Sequence, residues 1–526
     1  MRLAALTFVA LSALTGFSQT PPAEPRFEIA DVHASGPALN SFTYVSGGLL
    51  RGDHYDLRKA TLFDLIRMAY PVAPENIVGG PNWLEFDRFD IAARAPAESS
   101  PETVRRMLQA LLAERFHLAV HTEMRPIPAY VLSLGKTKPK LTESAGEGDA
   151  ECQWVREPSG AALVTYTCRN ISMATFASRL RTAAGDYLKE PVIDNTGLEG
   201  NWDFTLRWSQ RAQVLPDGAK RTTIADAVEK DLGLNLALRD APAPVLVIDR
   251  ADKPTPNAAD IAQRLPAREL TFEVATVRLN KTPQTLPFRV TRGGLQIPSA
   301  PLKTVLGFAW DMNTIHTSER FIGLPKDIDS VDVAIDARTT KDANAPGLEA
   351  TAEVDDDLRA MTRALLTERF QMKWHYENRL MDGYSLVPAK PKLKRADPPN
   401  RAGCHEARTM AHDPRDTNPL LTTVISCRSV TIAQFASRLQ QIDDHQFAYP
   451  VEDATGIEGT FDFDLSFTSA RLLDRPMVRA DGEAELNGAV SLAEALNKQL
   501  GLRLEKRKRI LPAVVIDHME LTPAEN

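Results

Sequence analysis

A chain of 526 residues has room for several domains, and 43% hydrophobic with 25% charged residues is a globular composition. Its formal net charge of −7 argues against a nucleic-acid or anionic-membrane binder, which would carry a basic face. Beyond the N-terminal end, no apolar run approaches the length of a transmembrane helix.

The chain begins with Arg2, an apolar run from Leu3 to Leu14, and the small residues Gly16 and Ser18 ahead of Gln19. That order reads as a secretory signal peptide over residues 1–18. It predicts an extracytoplasmic mature protein, periplasmic or secreted, and no cysteine follows to take a lipid. After a Pro-rich leader, Thr20 to Pro25, the stretch Phe27 to Val32 alternates as a strand. Gly47-Gly48-Leu49 suggests a tight turn into the next strand. Leu62, Leu65, Ile66 and Ala69 form one helical stripe behind Thr61 and Asp64, which can cap it. Gly79-Gly80-Pro81-Asn82-Trp83 reads as a turn.

Val104, Met107, Leu108, Leu111 and Leu112 mark a second helix. Two strands are predicted after it, His117 to Met124 and Ala129 to Leu134, with Pro126 and Pro128 as turn residues between them. A third helix starts near Ser172, and Pro191 to Gly200 leads into a strand from Trp202 to Trp208. A fourth helix runs from Thr223 to Gly233, which ends it, and again two strands are predicted to follow.

That last stretch, Thr223 to Asp249, returns without a gap as Ser491 to Asp517. Leu232-Gly233-Leu234 matches Leu500-Gly501-Leu502, and Val247-Ile248-Asp249 matches Val515-Ile516-Asp517. Phe27 to Val32 returns as Phe272 to Val277, Leu111 to Phe116 as Leu365 to Phe370, and Phe176 to Leu180 as Phe435 to Leu439. The chain is therefore two copies of one module. They occupy residues 26–250 and 269–520, joined by a linker over 251–268 that is rich in Pro, Ala and charge. The predicted fold class is α+β: two homologous tandem modules, each of short antiparallel sheets with helices packed on one face. Within each copy, helix two and helix four both run into a predicted strand pair. That rhythm resembles the βαββ modules of secretin and TonB-receptor N-terminal domains, which bind partner proteins in the periplasm.

Cys152 and Cys168 in the first copy match Cys404 and Cys427 in the second. Four cysteines behind an export signal read as disulfides, and the repeat favours one bond within each copy. The alternative, a Cys/His metal site using His405, lacks any CxxC pair. A basic cluster, Arg503 with Lys506 to Arg509, is expected in a solvated hairpin turn.

Two constellations could carry chemistry. His121, Glu123 and Arg125 alternate on one strand face and return as His375, Glu377 and Arg379. A histidine beside a carboxylate can move a proton or share a metal, but no third ligand is nearby in sequence, and a wet-face ion pair is the ordinary reading. Asp194-Asn195-Thr196-Gly197 and Asp453-Ala454-Thr455-Gly456 approach the D-T-G of aspartic proteases with the spacing wrong by one. A turn closed by its own Asp and Thr is the ordinary reading. Phosphate loops, zinc-helix motifs and nucleophile elbows are absent, so no cofactor or metal is called for.

The Phe27 to Val32 strand, the Gly79 to Trp83 turn, Met107 to Phe116, Pro191 to Gly200 and the closing Val245 to Asp249 stand in an order that resembles the soil-associated acidobacterial family, a domain of unknown function. The second copy departs from it where Gly323-Leu324-Pro325-Lys326-Asp327 replaces the Gly79 to Trp83 turn. The resemblance implies an exported protein without known activity. Through relatives that carry such a domain behind a membrane metallopeptidase of the antibiotic-sensor type, it also implies a sensing or partner-binding role. The leading expectation is a non-catalytic extracytoplasmic binding or scaffold module for a protein or cell-wall partner. The alternatives are an exported hydrolase using His121 and Glu123, or the Asp194 and Asp453 pair, and a sensory accessory of a membrane metallopeptidase.

Overall fold

The computed structural model describes residues 24–36, 45–146, 149–155, 163–188, 190–210, 221–266, 268, 270–280, 286–291, 294–312, 317–338, 356–396, 401–406, 423–443, 446–473 and 489–525. The signal peptide read over residues 1–18 lies outside them. The first half of copy one runs β1 (Ile29–Ala34), β2 (Ser46–Arg51), β3 (His54–Thr61), α1 (Leu62–Ala69), β4 (Ile77–Gly79), β5 (Arg88–Arg94), α2 (Pro101–Arg115) and β6 (Ala119–Leu134). The second half runs β7 (Thr142–Glu143), β8 (Glu151–Val155), β9 (Val164–Ile171), α3 (Met173–Ala183), β10 (Val192–Asp194), β11 (Trp202–Trp208), α4 (Ile224–Ala227) and β12 (Leu234–Arg250).

The two halves are the same unit. Their sheets have orders β1-β5-β3-β2 and β7-β11-β9-β8, which correspond strand for strand. The third sheet, β10-β6-β12-β4, is built from both. β6 and β12 pair antiparallel along nearly their whole length, and each half lends a short parallel strand to the other's long one. Pro126 faces Pro242 at the middle of this ribbon, so a pseudo-two-fold axis passes through that pair. Copy two repeats all three sheets, with Lys373–Pro388 and Leu502–His518 as its ribbon and Leu380 facing Ile510 at its centre. The α+β class and the tandem duplication hold, and each copy proves to be a duplication in turn.

The sequence reading placed turns at Pro126 and Pro128 and split the chain after α4 into two strands. Both stretches are single strands instead, of 16 and 17 residues. Pro126 and Pro128 face Pro242 and Asp240, and Pro244 faces Met124. All these prolines share one parity, the pairs whose N–H groups point away from the partner strand, so no ladder bond is lost. The basic cluster Lys506 to Arg509 likewise lies within the strand Leu502–His518, not in a turn. There Lys508 pairs with Asp382 at 2.9 Å and Arg507 with Glu505 at 2.5 Å. Gly47 and Gly48, read as a turn, form a bulge inside β2, where the register to β3 shifts and both φ angles are positive.

Local sequence sets the entry to each first helix. Thr61 and Asp64 form a reciprocal capping box on α1, and Ser172 caps α3. Two residues before those caps the strand kinks through a left-handed residue: Lys59 (φ 57), Asn170 (φ 48) and, in copy two, Ser429 (φ 52). An aspartate on the neighbouring strand, Asp90, Asp203 or Asp462, accepts from that residue's N–H at 2.7–2.8 Å. In the remaining unit Ser299 has no positive φ, and Ala334 stands where the aspartates do. The clamp and the strain that it holds are thus absent together.

Each half has its own core, and the ribbon crosses both. Leu246 and Ile248 of β12 are buried with α1, α2 and the first sheet, while Leu132 of β6 is buried with α3 and the second. Cys152 and Cys168 face one another on β8 and β9 and are bonded, as are Cys404 and Cys427 in copy two, so both disulfides close within a copy. Residues 251–257 run back along copy one. Buried Arg115 holds them, donating to the Thr255 hydroxyl at 2.9 Å, the Thr255 carbonyl at 2.5 Å and Asn257 Oδ1 at 2.7 Å. Its repeat Arg369 holds the C-terminal tail through the Glu525 carbonyl at 2.6 Å. The shared Glu-Arg-Phe motif is thereby explained as a latch on each copy's closing segment.

Candidate functional site

The strand-face constellation closes on a residue that the sequence reading did not single out. A bulge in β12 leaves Asp249 unpaired between Ile248 and Arg250, diagonal to His121. Its carboxylate lies 2.8 Å from His121 Nδ1, while His121 Nε2 lies 3.7 Å from Glu123, which also pairs with Arg125. Copy two repeats the chain: Asp517 is 2.9 Å from His375 Nδ1, and Glu377 is 3.6 Å from Nε2 and 2.9 Å from Arg379. The signal was present in the repeated Val-Ile-Asp, whose aspartates are the bulge residues. All these groups are about half exposed. Among the described residues, no group of three or more His, Cys, Asp and Glu side chains is placed to hold a metal ion.

The hydrogen bond that Asp249 accepts from His121 raises the His121 pKa above its ordinary value, with Glu123 adding to it, and Asp517 and Glu377 do the same for His375. A histidine with a raised folded pKa stabilises most below its unfolded value, near about 6.5, and that contribution is lost as pH rises through the raised pKa. In an NMR titration both imidazoles should therefore titrate above about 6.5. Asp249→Asn should bring His121 back toward that value and leave His375 where it was. An unmoved His121 would remove Asp249 as the cause.

The structure does not assemble Asp194 and Asp453 into a dyad. They lie on separate sheets, one in each copy. Asp194 Oδ1 accepts from the Thr196 N–H at 2.9 Å and its hydroxyl at 2.7 Å, and Asp453 Oδ1 accepts from Thr455 at the same distances. Each Thr hydroxyl accepts in turn from the N–H two residues on, Leu198 or Ile457. These are self-closed turns.

The Gly79 to Trp83 turn has a use that its departure in copy two explains. With the residues that follow, it docks copy one onto the helix Ile432–Ile442 of copy two and onto Arg401 and His405, before and within the Gly403–Glu406 strand. Glu85, 4% exposed, pairs with Arg401 at 2.6 Å and His405 at 3.2 Å. Arg401 also donates to the Ile77 carbonyl at 2.6 Å and lies 4.3 Å from the Phe63 ring centre. Gln434 donates to the Asn82 carbonyl and Arg438 to the Glu85 carbonyl, while Phe86 packs on the second copy's core. His405 is thus a seam residue beside a disulfide-bonded Cys404. Burial alone would raise the Glu85 carboxyl; the His405 hydrogen bond and the Arg401 charge outweigh it and hold the pKa below the usual carboxylate range. Elsewhere along the seam, buried Asp357 takes Arg51 at 2.8 Å, Arg268 at 3.3 Å and Arg58 at 3.7 Å. No sequence rule could have matched these partners, which, Arg268 excepted, lie roughly 300 or more positions apart.

Two clefts open beside this seam. One, of about 610 Å³, is lined by His33, Asp87, Arg88, Lys253 and Asn257 among others, and Lys253 covers the Trp83 ring at 4.0 Å. The other, of about 230 Å³, lies between the copies and is lined by Ser35, Lys59, Arg88, Ser437, Arg438 and Gln441 among others. No helix among the described residues is long and apolar enough to cross a membrane. A family model described as a protein of unknown function (DUF3738) matches residues 63–251 and again 303–519. No curated protein and no solved structure matches the chain.

Proposed function

The chain belongs, in both of its copies, to the DUF3738 family of proteins of unknown function, and from that premise we propose that it is a non-catalytic extracytoplasmic scaffold that binds a protein partner along its ribbons. The carrying observation is where the apolar surface lies. Half of the most exposed large hydrophobic side chains among the described residues, Met124, Leu134, Tyr376, Leu380 and Ile510, sit on the two ribbons. Leu380 and Ile510 face one another at the centre of the second, 67% and 74% exposed. An apolar pair ringed by Lys506, Lys508 and Asp382 has the make-up of a recognition patch with a polar rim. Two disulfides suit an oxidising compartment.

The hydrolase alternative draws no support from the candidate groups. Both ring nitrogens of His121 face carboxylates, leaving no nucleophile in the chain of contacts, and Asp194 and Asp453 are held in their own turns. A photo-crosslinking residue at position 380, in the full chain expressed in its own cell envelope, should give one discrete protein adduct. Ile510→Asp should abolish it without altering the far-ultraviolet dichroism. No adduct, or one indifferent to Ile510→Asp, would end the ribbon reading.

A further inference from the structure

The seam between the copies carries more positive charge than its own carboxylates answer. Arg88 and Arg438 both line the 230 Å³ cavity, one from each copy. Arg88 donates to the Lys59 carbonyl at 2.5 Å; Arg438 donates to Gln441 Oε1 at 2.7 Å and the Glu85 carbonyl at 2.8 Å and stacks on Phe86. These acceptors are all uncharged, and among the described residues neither guanidinium forms an ion pair with a carboxylate. The negative charges nearest them are committed elsewhere. Asp64 closes the α1 capping box, and Glu85, the carboxylate among the lining residues, is taken by Arg401 and His405. Lys59, the third cation in the wall, is matched by Asp311 at 3.2 Å and Asp356 at 3.5 Å. Beside Tyr449, the neighbour of the lining residue Pro450, fully buried Arg320 lies 4.6 Å from the ring centre, and two of its nitrogens have no hydrogen-bond partner among the described residues.

Arg88 and Arg438 are half-buried, and withdrawing guanidinium groups from water without a carboxylate paired to them is unfavourable. Desolvation pulls the pKa of both Arg88 and Arg438 down, with the Arg438 charge adding to the effect on Arg88; Asp64 on both, and Glu85 on Arg438, offset only part of it. A fold retains such an arrangement at low cost when a ligand supplies the missing charge, and planar guanidinium forks match oxyanions in geometry as well as sign.

We propose that this cavity is an anion-binding site, in which a phosphate or carboxylate group of a small molecule bridges Arg88 of the first copy and Arg438 of the second. The site lies in the seam and meets the second ribbon at Pro450, whose carbonyl accepts from Arg509 at 2.8 Å; successive strand residues point to opposite faces, so Arg509 lies on the face opposite the Leu380 and Ile510 patch, and the site stands apart from the partner-binding reading. An anion bound there joins the copies, and its occupancy stiffens their docking.

The test is titration calorimetry on the full mature chain, with sodium phosphate in one arm and sodium succinate in the other, against sodium chloride at matched ionic strength. Saturable binding in the phosphate arm, the succinate arm or both is expected, and the arm that responds identifies the group. Arg438→Gln should weaken it by roughly tenfold or more, the loss of one charge-assisted contact. Should that variant not fold, Ser437→Asp serves: it places a carboxylate on an exposed helix position at the cavity wall as a built-in competitor, and should weaken binding as strongly. Ile510→Asp should leave binding unchanged, so this site and the ribbon can fail separately. Absence of saturable heat in both arms, or undiminished affinity in Arg438→Gln or Ser437→Asp, overturns the proposal.

Discussion

Replacing Arg401 by alanine is expected to loosen the docked copies by about 3–5 kcal/mol, the range for stranding one member of a buried ion pair. Glu85 would keep only His405, itself 59% exposed, and the Ile77 carbonyl and the Phe63 ring would lose their cation as well. Urea unfolding followed by tryptophan fluorescence measures the loss. The control is Glu85→Leu with Arg401→Met, which removes both charges and should recover much of the stability, since a buried pair is worth little against an apolar replacement. The pH dependence has a definite sign. A carboxyl with a depressed folded pKa stabilises above its unfolded value, about 4.3, and loses that contribution as pH falls through the folded pKa. Wild-type docking should weaken in acid below about pH 4.3, and Arg401→Ala, with the Glu85 pKa less depressed, should lose less of its remaining stability there. An Arg401→Ala protein with wild-type urea and acid transitions would show that the seam is held by other contacts.

Removing either disulfide is expected to cost about 3 kcal/mol. The bonded cysteines are 16 and 23 positions apart, and in the chain-entropy account that difference changes the effect by only about 0.3 kcal/mol. The two copies should therefore respond alike. In each, the bond ties the edge strand of its sheet, β8 or the 403–406 strand, to the strand beside it. Cys152→Ala with Cys168→Ala should consequently speed amide exchange in β8 first and leave β9 and β11 largely protected. Equal loss of protection in all three strands would mean that the bond holds the whole half-module.

The features legible in the sequence were those that depend on near neighbours or on repetition. Thr223 with Asp226 and Ser491 with Glu494 announced their capping boxes because both partners lie within one helical turn. The cysteine pairing followed from finding the same pair twice. Proline misled at Pro126 and Pro128: the rule that proline turns a chain presumes that its missing N–H matters, and on a two-stranded ribbon half of the N–H groups face no strand. The duplication inside each copy was glimpsed in the helix-then-strand rhythm. It was hidden in residue identities because Phe116-His117-Leu118 and Leu232-Gly233-Leu234 share a backbone shape more than a sequence, with His117 and Gly233 both left-handed. The ribbon histidines were found, but Asp249 was not, because a bulge displaces it from the alternating pattern. The seam residues Glu85, Arg401 and Arg438 carry no local mark at all. Only the failure of the Gly79 to Trp83 turn to recur pointed there.

The ribbon also sets a schedule for folding. Leu134 pairs with Leu234, so β6 lacks its long partner until most of the second half has been made. At about 5–20 residues per second, those hundred residues take about 5–20 s to emerge. Pairings this distant in sequence are also slow to close on refolding. Throughout the delay a 16-residue strand stands with the edge meant for β12 bare, the kind of template on which other chains stack. The first copy meets the hazard with Pro126 and Pro128 at the middle of the waiting strand. The second has no proline there and sets Asp382 beside Leu380, with Lys506 to Arg509 on the strand that arrives last. One hazard, inherited by duplication, is guarded by backbone chemistry in one copy and by charge in the other.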